Sequence, residues 1–255
     1  MTIPTLHILH VPGADEERDD IVANYLDMPY PDVHVCVHMD PDRRGIMKNW
    51  LDAAQCALSS GDKWSIIMQD DAVPMPGWHR AIEEALWHSP APILGMSYFG
   101  AATEAAFKKN VPYMVGPHLI WGAAVAYRQD FLEGLVPWAK WVYETTEYQH
   151  DDRLVSAYAN KIGVDTALTV RAIFDQPVEK STVGHGGGNR RPNITLRSNS
   201  GAPYGARPRF VRTRAGAAKD QRDWLVSLGT PEEHPTHTFR KTRSGAVQWL
   251  PKEAS

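Results

Sequence analysis

The sequence predicts an α/β fold built on a mostly parallel central sheet with helices on both faces. Short apolar segments alternate with amphipathic ones through the first 100 residues, in the order β-α-β-α-β-α-β. The chain has 255 residues, 43% of them hydrophobic, which suffices for one domain with its own core. Its two cysteines, Cys36 and Cys56, are too few for a disulfide framework, which fits a protein of a reducing compartment. We expect both side chains to be buried in the protein core as small hydrophobic residues.

Each predicted strand of this half is short and either β-branched or alternating in polarity. The strands are predicted at Thr5–Val11, Val33–Met39, Trp64–Met68 and Pro92–Phe99. The helices between them, each with apolar residues on one face, are predicted at Asp15–Asp27, Ile46–Leu58 and Pro76–Trp87. Open sheets of this kind bind ligands at the carboxyl ends of their strands, so the residues after each strand are the first site candidates.

The second half is less regular. Strands are predicted at His118–Tyr127 and Thr166–Phe174, helices at Gln129–Trp138 and Glu147–Ile162, and a loop or short helix at Ala101–Tyr113. From Gly184 onward the chain is dominated by Gly, Pro, Asn and Arg, which predicts a long loop.

Charge divides the chain into two parts. Residues 1–185 carry 14 basic and 25 acidic side chains, whereas residues 186–255 carry 13 basic and 5 acidic ones. We therefore expect an acidic sheet domain over 1–185. The basic extension, 186–255, is expected to pack on the active site or close over it. Such asymmetry indicates an anionic partner or ligand.

No apolar stretch approaches the roughly 20 residues of a membrane-spanning helix. The N-terminal residues turn acidic quickly and lack the basic region of a signal peptide. We therefore expect a cytoplasmic protein that is not secreted and has no membrane partner.

Two adjacent aspartates follow the third strand, where Ser65–Pro76 reads SIIMQDDAVPMP. Carboxylates at the end of a buried strand are costly without compensating positive charge. A divalent cation such as Mn²⁺ or Mg²⁺ would supply it, because it takes carboxylate oxygens and bridges phosphates. The alternative is a surface turn in which an aspartate caps the next helix.

The segment WSIIMQDDAVPMPGW resembles the strand and acidic triplet of GT-A glycosyltransferases, with Gln69 in place of the first acidic residue. The resemblance implies that Asp71 is a metal ligand and that Asp70 faces the sugar or ribose of a nucleotide-sugar donor. It implies a GT-A fold over roughly residues 4–185. The compact size and this motif are similar to small bacteriophage and actinobacterial members, which would place the protein in a host cytoplasm if a phage encodes it.

Two further segments support this resemblance. QHDDRLVSAYA, at 149–159, resembles the acidic pair that supplies the general base of inverting GT-A enzymes. This implies Asp151 as the base, with Asp152 as second choice; the alternative is that they cap the helix. FDQPVEKSTVGH, at 174–185, resembles a turn whose histidine closes the metal site, which implies that His185 joins Asp71 on the ion.

Residues after the first two strands are predicted to bind the donor, for which a uridine diphosphate sugar is favoured. They are Val11, Pro12 and Arg18 after the first strand, and Asp40, Arg43 and Asn49 after the second. A backbone turn can meet a nucleotide base, an aspartate can bind a ribose hydroxyl, and an arginine can oppose a phosphate.

The basic extension is predicted to contact the acceptor through arginines interleaved with aromatics, namely Arg190, Arg191, Tyr204, Arg207 and Arg209. This composition suits phosphate contact and base stacking. We expect DNA modification at a hydroxymethylated base of phage DNA, with a phage structural protein or a glycan as the alternative acceptor. A catalytically inactive DNA-binding or virion-associated module is the competing class. A nucleotidyltransferase is a weaker one, because VPGADEERDD after the first strand is acidic rather than glycine-rich and basic.

Overall fold

The computed structural model describes residues 3–28, 32–97, 100–117, 123–176, 210–212, 237–241 and 247–251. The helices are α1 (Glu16–Leu26), α2 (Ile46–Ser60), α3 (Trp78–Trp87), α4 (Gly100–Lys108), α5 (Gln129–Thr146) and α6 (Asp151–Lys161). The strands are β1 (Leu6–His10), β2 (Val35–Met39), β3 (Trp64–Gln69), β4 (Val73–Pro74), β5 (Ile93–Gly95), β6 (Tyr113–Gly116), β7 (Ala124–Arg128), β8 (Thr166–Thr169), β9 (Phe174–Asp175), β10 (Phe210–Arg212), β11 (His237–Lys241) and β12 (Val247–Pro251).

Eight of these strands form the central sheet, in the order β10-β6-β8-β5-β7-β3-β1-β2. Four of its seven neighbouring pairs are parallel, and the three antiparallel pairs involve β6 or β7. The predicted α/β fold with a mostly parallel sheet is confirmed. The strand and helix order predicted for the first 100 residues is also found, with the two-residue strand β4 added between β3 and α3.

Helices cover both faces of the sheet. One hydrophobic cluster packs α2, α5 and α6 against one face, and a second packs α1 and α3 against the other. Successive residues of β1 alternate between them: Leu6 and Ile8 belong to the second cluster, and Leu9 to the first. Because β1 pairs in parallel with both β2 and β3, the carboxyl ends of these three strands lie side by side, where their loops meet.

Several boundaries differ from the sequence prediction. Helix α5 continues to Thr146 rather than stopping near Trp138, because its buried stripe extends through Ala139 and Val142. The predicted 166–174 strand divides into β8 and β9, and β9 pairs with β4 instead of joining the central sheet. Cys36 is half-buried and Cys56 is exposed, so the expectation that both are buried is wrong. β2 is the edge strand of the sheet, which leaves its neighbourhood open to solvent.

The chain beyond residue 185 contains regular structure that the sequence did not predict. Strand β10 pairs in parallel with β6 at the far edge of the sheet, and Arg212 forms an ion pair with Asp165 at 2.7 Å. Strands β11 and β12 form an antiparallel pair. The loop prediction is therefore wrong for these three ranges, whose short apolar runs are hidden among arginines and turn residues. Among the described residues, no helix is both long and apolar enough to cross a membrane.

Gly134 allows α5 to pack closely on α6. A methyl group at this position would overlap the Tyr158 hydroxyl oxygen. The Tyr158 ring has little freedom to move, because it packs against Phe131 and Trp138 with centroid separations of 5.4 and 5.3 Å. We expect Gly134→Ala to lower the free energy of unfolding by about 1–3 kcal/mol through overpacking. Urea unfolding would measure this, and adding Tyr158→Phe should recover part of the loss; a neutral single variant would contradict the prediction.

Candidate functional site

The acidic pair Asp70–Asp71 lies directly after β3, and both side chains are buried. A tight turn places them there, since the Ala72 backbone N–H donates to the Gln69 carbonyl. Helix α1 fixes this turn from outside, because the Tyr25 hydroxyl donates to the Ala72 carbonyl at 2.7 Å. The pair is therefore a buried part of the sheet edge, and the alternative of an exposed capping turn is wrong.

Arg18 of α1 supplies the positive charge that the pair requires. Its guanidinium donates one hydrogen bond to Asp70 Oδ1 and another to Asp71 Oδ2, the second at 2.9 Å. Arg18 is only 4% exposed. Burial lowers the pKa of Arg18, but the charges of Asp71 and Asp70 outweigh it and raise that pKa above its ordinary value. The arginine predicted as a donor contact thus forms a buried ion triad with both aspartates.

Two residues that sequence reasoning did not select complete this network. His10 Nδ1 lies 3.0 Å from Asp70 Oδ2, and the Val11 backbone N–H donates to the same oxygen at 3.3 Å. Gln176 Nε2 donates to Asp71 Oδ1 at 2.9 Å. The only sequence signal for His10 is that it is the last residue of β1, and Gln176 carries none because its position depends on β9 pairing with β4.

The donor chemistry of this site suits a hard cation, because carboxylate oxygens are what Mg²⁺ and Mn²⁺ prefer. Both Asp71 oxygens already accept hydrogen bonds, one from Arg18 and one from Gln176. Asp71 would therefore hold a cation by exchanging one of these bonds. His185, predicted as the second ligand, lies outside the described residues, as do Arg190, Arg191, Tyr204, Arg207 and Arg209.

Asp40 organises the loop after β2. Its carboxylate accepts hydrogen bonds from the Arg44 backbone N–H, from Arg44 Nε and from the Gly45 backbone N–H, at 3.0, 3.0 and 3.2 Å. Burial raises the pKa of Asp40, and these bonds outweigh it and lower the value overall. The Asp40 backbone N–H donates to the His10 carbonyl at 2.8 Å, which joins this loop to the Asp70 network.

The other predicted donor contacts occupy the same edge. Pro12 and Arg43 are exposed, and Arg43 has a positive φ of 52°. Asn49 is buried on α2, where its Nδ2 donates to the His38 carbonyl at 3.0 Å. Its Oδ1 has no hydrogen-bond partner among the described residues.

Asp151 begins α6 and is a buried acid. Burial first, and then the charge of Asp152, raise the pKa of Asp151 to about 7, against the lowering effect of hydrogen bonds from the backbone N–H groups of both residues. The N-cap of α6 is His150, so neither aspartate is the cap. Asp152, by contrast, is half-buried and accepts a bond from the Arg153 backbone N–H at 2.7 Å.

Gly45 connects the Asp40 loop with the segment that leads into α6. Its φ of 108° favours glycine, and a methyl group there would lie 2.7 Å from Gln149 Oε1. The loop after β2 therefore contacts the chain two residues before Asp151. This loop is thus in contact both with the segment before α6, through Gly45, and with His10 of the Asp70 network, through Asp40.

Comparison with known proteins gives no functional assignment. No protein-family model and no curated protein matches the sequence. Among solved structures, the chain is similar to residues 1–349 of Staphylococcus aureus TarS, with 10% identity and a TM-score of 0.43. The match covers 67% of this chain and 59% of the TarS chain, so this protein spans less than two thirds of that structure.

Proposed function

We propose that this protein is a glycosyltransferase that moves a sugar from a nucleotide-sugar donor to an acceptor hydroxyl, with inversion at the anomeric carbon. The observation that carries the proposal is the buried Asp151, whose pKa is raised to about 7. The loop after β2 contacts the segment before Asp151 on one side and the network of the Asp70–Asp71–Arg18 triad on the other. A carboxyl group with this pKa is about half-deprotonated at neutral pH, and a general base works best when its pKa lies near the pH of the reaction. The GT-A resemblance of both acidic motifs supports the same reading.

In the proposed reaction, the Asp151 carboxylate takes the proton of the acceptor hydroxyl. The acceptor oxygen forms its bond to the anomeric carbon while the bond from that carbon to the diphosphate breaks, and the diphosphate leaves with the electron pair. Asp40 and Arg43, on the loop after β2, would face the nucleotide. A divalent cation held by Asp71 would offset the charge that develops on the diphosphate.

The acceptor proposal depends on charge. The 13 basic and 5 acidic residues of 186–255 favour an anionic acceptor, and we propose a hydroxymethylated base in phage DNA. An enzyme would reach such a base in duplex DNA only by extruding it from the stack. Arg212 is already paired with Asp165, so the other arginines of the extension would supply most of the phosphate contacts.

The decisive experiment incubates the full chain with a mixture of nucleotide sugars and Mn²⁺ and with hydroxymethylated DNA, unmodified DNA or phage structural proteins, followed by mass spectrometry of each acceptor. We expect a hexose or pentose mass on hydroxymethylated DNA only. Transfer to a phage structural protein instead would retain the glycosyltransferase and replace the acceptor. Absence of both transfer and donor hydrolysis from a folded protein would overturn the proposal in favour of a binding module.

Asp71→Asn should abolish cation-dependent donor binding, because an amide loses the charged oxygen that would hold the ion. Calorimetric titration with uridine diphosphate, with and without Mn²⁺, measures this independently of turnover. The matched control is Asp130→Asn, an exposed aspartate in the first turn of α5. An unchanged Mn²⁺ effect in the Asp71 variant would remove that residue from the metal proposal.

A further inference from the structure

Four side chains with soft or borderline metal-binding atoms converge at the edge of the sheet, away from the acidic triad. The parallel register of β1 and β2 pairs His7 with Cys36, and Cys36 and His38 lie two residues apart on β2. Residues two apart on a strand face the same side, so all three share one face. Cys56 approaches from α2, and the chain's only two cysteines meet there.

The ligand atoms already have near-coordination spacing. His7 Nδ1 and His38 Nε2 are hydrogen-bonded to each other at 3.1 Å, with ring centroids separated by 5.3 Å. One ligand atom each of His7, His38 and Cys56 lies within 4.8 Å of the other two. A tetrahedral zinc ion with Zn–N bonds of about 2.0–2.1 Å holds two imidazole nitrogens about 3.3 Å apart. The two imidazole nitrogens therefore already have nearly the separation that a zinc ion requires, and the ion would replace the hydrogen bond between them.

His7 is under-satisfied where it stands. Its side chain is fully buried, and its Nε2 has no hydrogen-bond partner among the described residues. The nitrogen that faces His38 is Nδ1, so Nδ1 and not the unpartnered Nε2 would bind the ion. A neutral imidazole has one ring nitrogen with a lone pair that it can donate to a metal ion.

We infer that His7, His38 and Cys56 form a binding site for a transition-metal ion of the zinc class, with Cys36 as the fourth ligand. Thiolate and imidazole ligands select such ions over Mg²⁺ and Ca²⁺, which distinguishes this site from the carboxylates at Asp71. Cys56 is exposed, which gives the ion a path from solvent. On binding, each ligating thiol releases its proton to water.

The proposed site would link β1, β2 and α2. His38 lies two residues before Asp40, and the His38 carbonyl already accepts a bond from Asn49 of α2. An ion bound to His7, His38 and Cys56 would cross-link β1, β2 and α2 through their side chains. We therefore expect zinc to raise the midpoint of thermal unfolding, whether or not the protein transfers sugars.

The test uses the full chain, reduced and freed of metal with a chelator, titrated with Zn²⁺ against a chromophoric indicator and separately with Co²⁺. Wild type should bind one equivalent of either ion, and Co²⁺ should produce a thiolate charge-transfer band. Cys56→Ser should weaken zinc binding at least tenfold and reduce that band. His38→Gln should weaken binding comparably. Cys56 is exposed, so its variant tests the site without disturbing the core.

Two controls separate this site from incidental binding. His88→Gln alters a half-buried histidine at the C-cap of α3, and Asp71→Asn alters the acidic pair; both should bind zinc as wild type does. Equal zinc affinity in wild type, Cys56→Ser and His38→Gln would overturn the inference. A reduced protein that binds no zinc would overturn it as well. Full binding by Cys36→Ser would overturn the assignment of the fourth ligand.

Discussion

Arg18→Met is expected to lower the free energy of unfolding by about 3–5 kcal/mol, the cost of leaving buried carboxylates without their cation. Arg18 is the side chain that donates to both Asp70 and Asp71, and all three are at most 5% exposed. Methionine retains most of the aliphatic length of arginine, so the loss reports charge rather than volume. Urea unfolding monitored by circular dichroism would measure it.

Two further variants assign this loss to charge. Arg80→Met removes an exposed arginine that pairs with Glu84 on α3, and surface changes of this kind fall within about 0.5 kcal/mol. Adding Asp70→Asn and Asp71→Asn to Arg18→Met should restore most of the stability, because replacing a whole buried ion group with neutral residues is often close to neutral. If the triple variant is less stable than Arg18→Met alone, hydrogen bonding rather than charge holds the turn.

This triad shows what the sequence could and could not predict. Two aspartates after an apolar strand predict buried carboxylates that need positive charge, and that much is correct. The sequence also predicts Arg18 at this edge, as a contact to the donor. Its pairing with both aspartates depends on how α1 crosses the sheet, which periodicity does not determine. Gln176 was beyond prediction, because it reaches Asp71 only through the β4–β9 pair.

The fold was predictable where local signals agreed. β1, β2 and β3 are each short, apolar and followed by an amphipathic helix, and all three are found where predicted. The antiparallel insertion of β7 between β3 and β5 is a long-range choice with no local signal. The zinc-class cluster was missed for the same reason. His7, Cys36 and Cys56 are far apart in sequence, and only the β1–β2 register and the packing of α2 bring them together.

Asp151→Asn is expected to reduce sugar transfer by about 10²–10⁴-fold while leaving donor binding intact, because the amide cannot accept the acceptor proton. Single-turnover rates and calorimetry with the donor separate the two effects. Asp152→Asn is the matched control. It should retain activity, and the acidic limb of its rate–pH profile should shift to lower pH, since the Asp152 charge helps to raise the pKa of Asp151.

Asp151→Asn is also expected to change the free energy of unfolding, and it should raise stability at neutral pH although it lowers activity. The folded protein holds the Asp151 proton more tightly than the unfolded chain does, so the free energy of unfolding falls as pH rises from about 4 to about 7 and then levels. The accumulated cost is on the order of a few kcal/mol. Asp151→Asn removes the titration, so its stability should depend less on pH over this window and exceed wild type above it.

The rate–pH profile of transfer and the pH dependence of stability together show whether Asp151 has a catalytic or a packing role. A residue kept for packing alone would lose stability when changed and would leave the rate–pH profile in place. A buried base instead costs stability whenever it is ionised, and the ionised form is the one that the reaction needs. Greater stability above pH 7 combined with loss of transfer would therefore show that the fold tolerates an unfavourable charge at the start of α6 because catalysis requires it. Wild-type transfer by Asp151→Asn would assign the base to Asp152 or to another group.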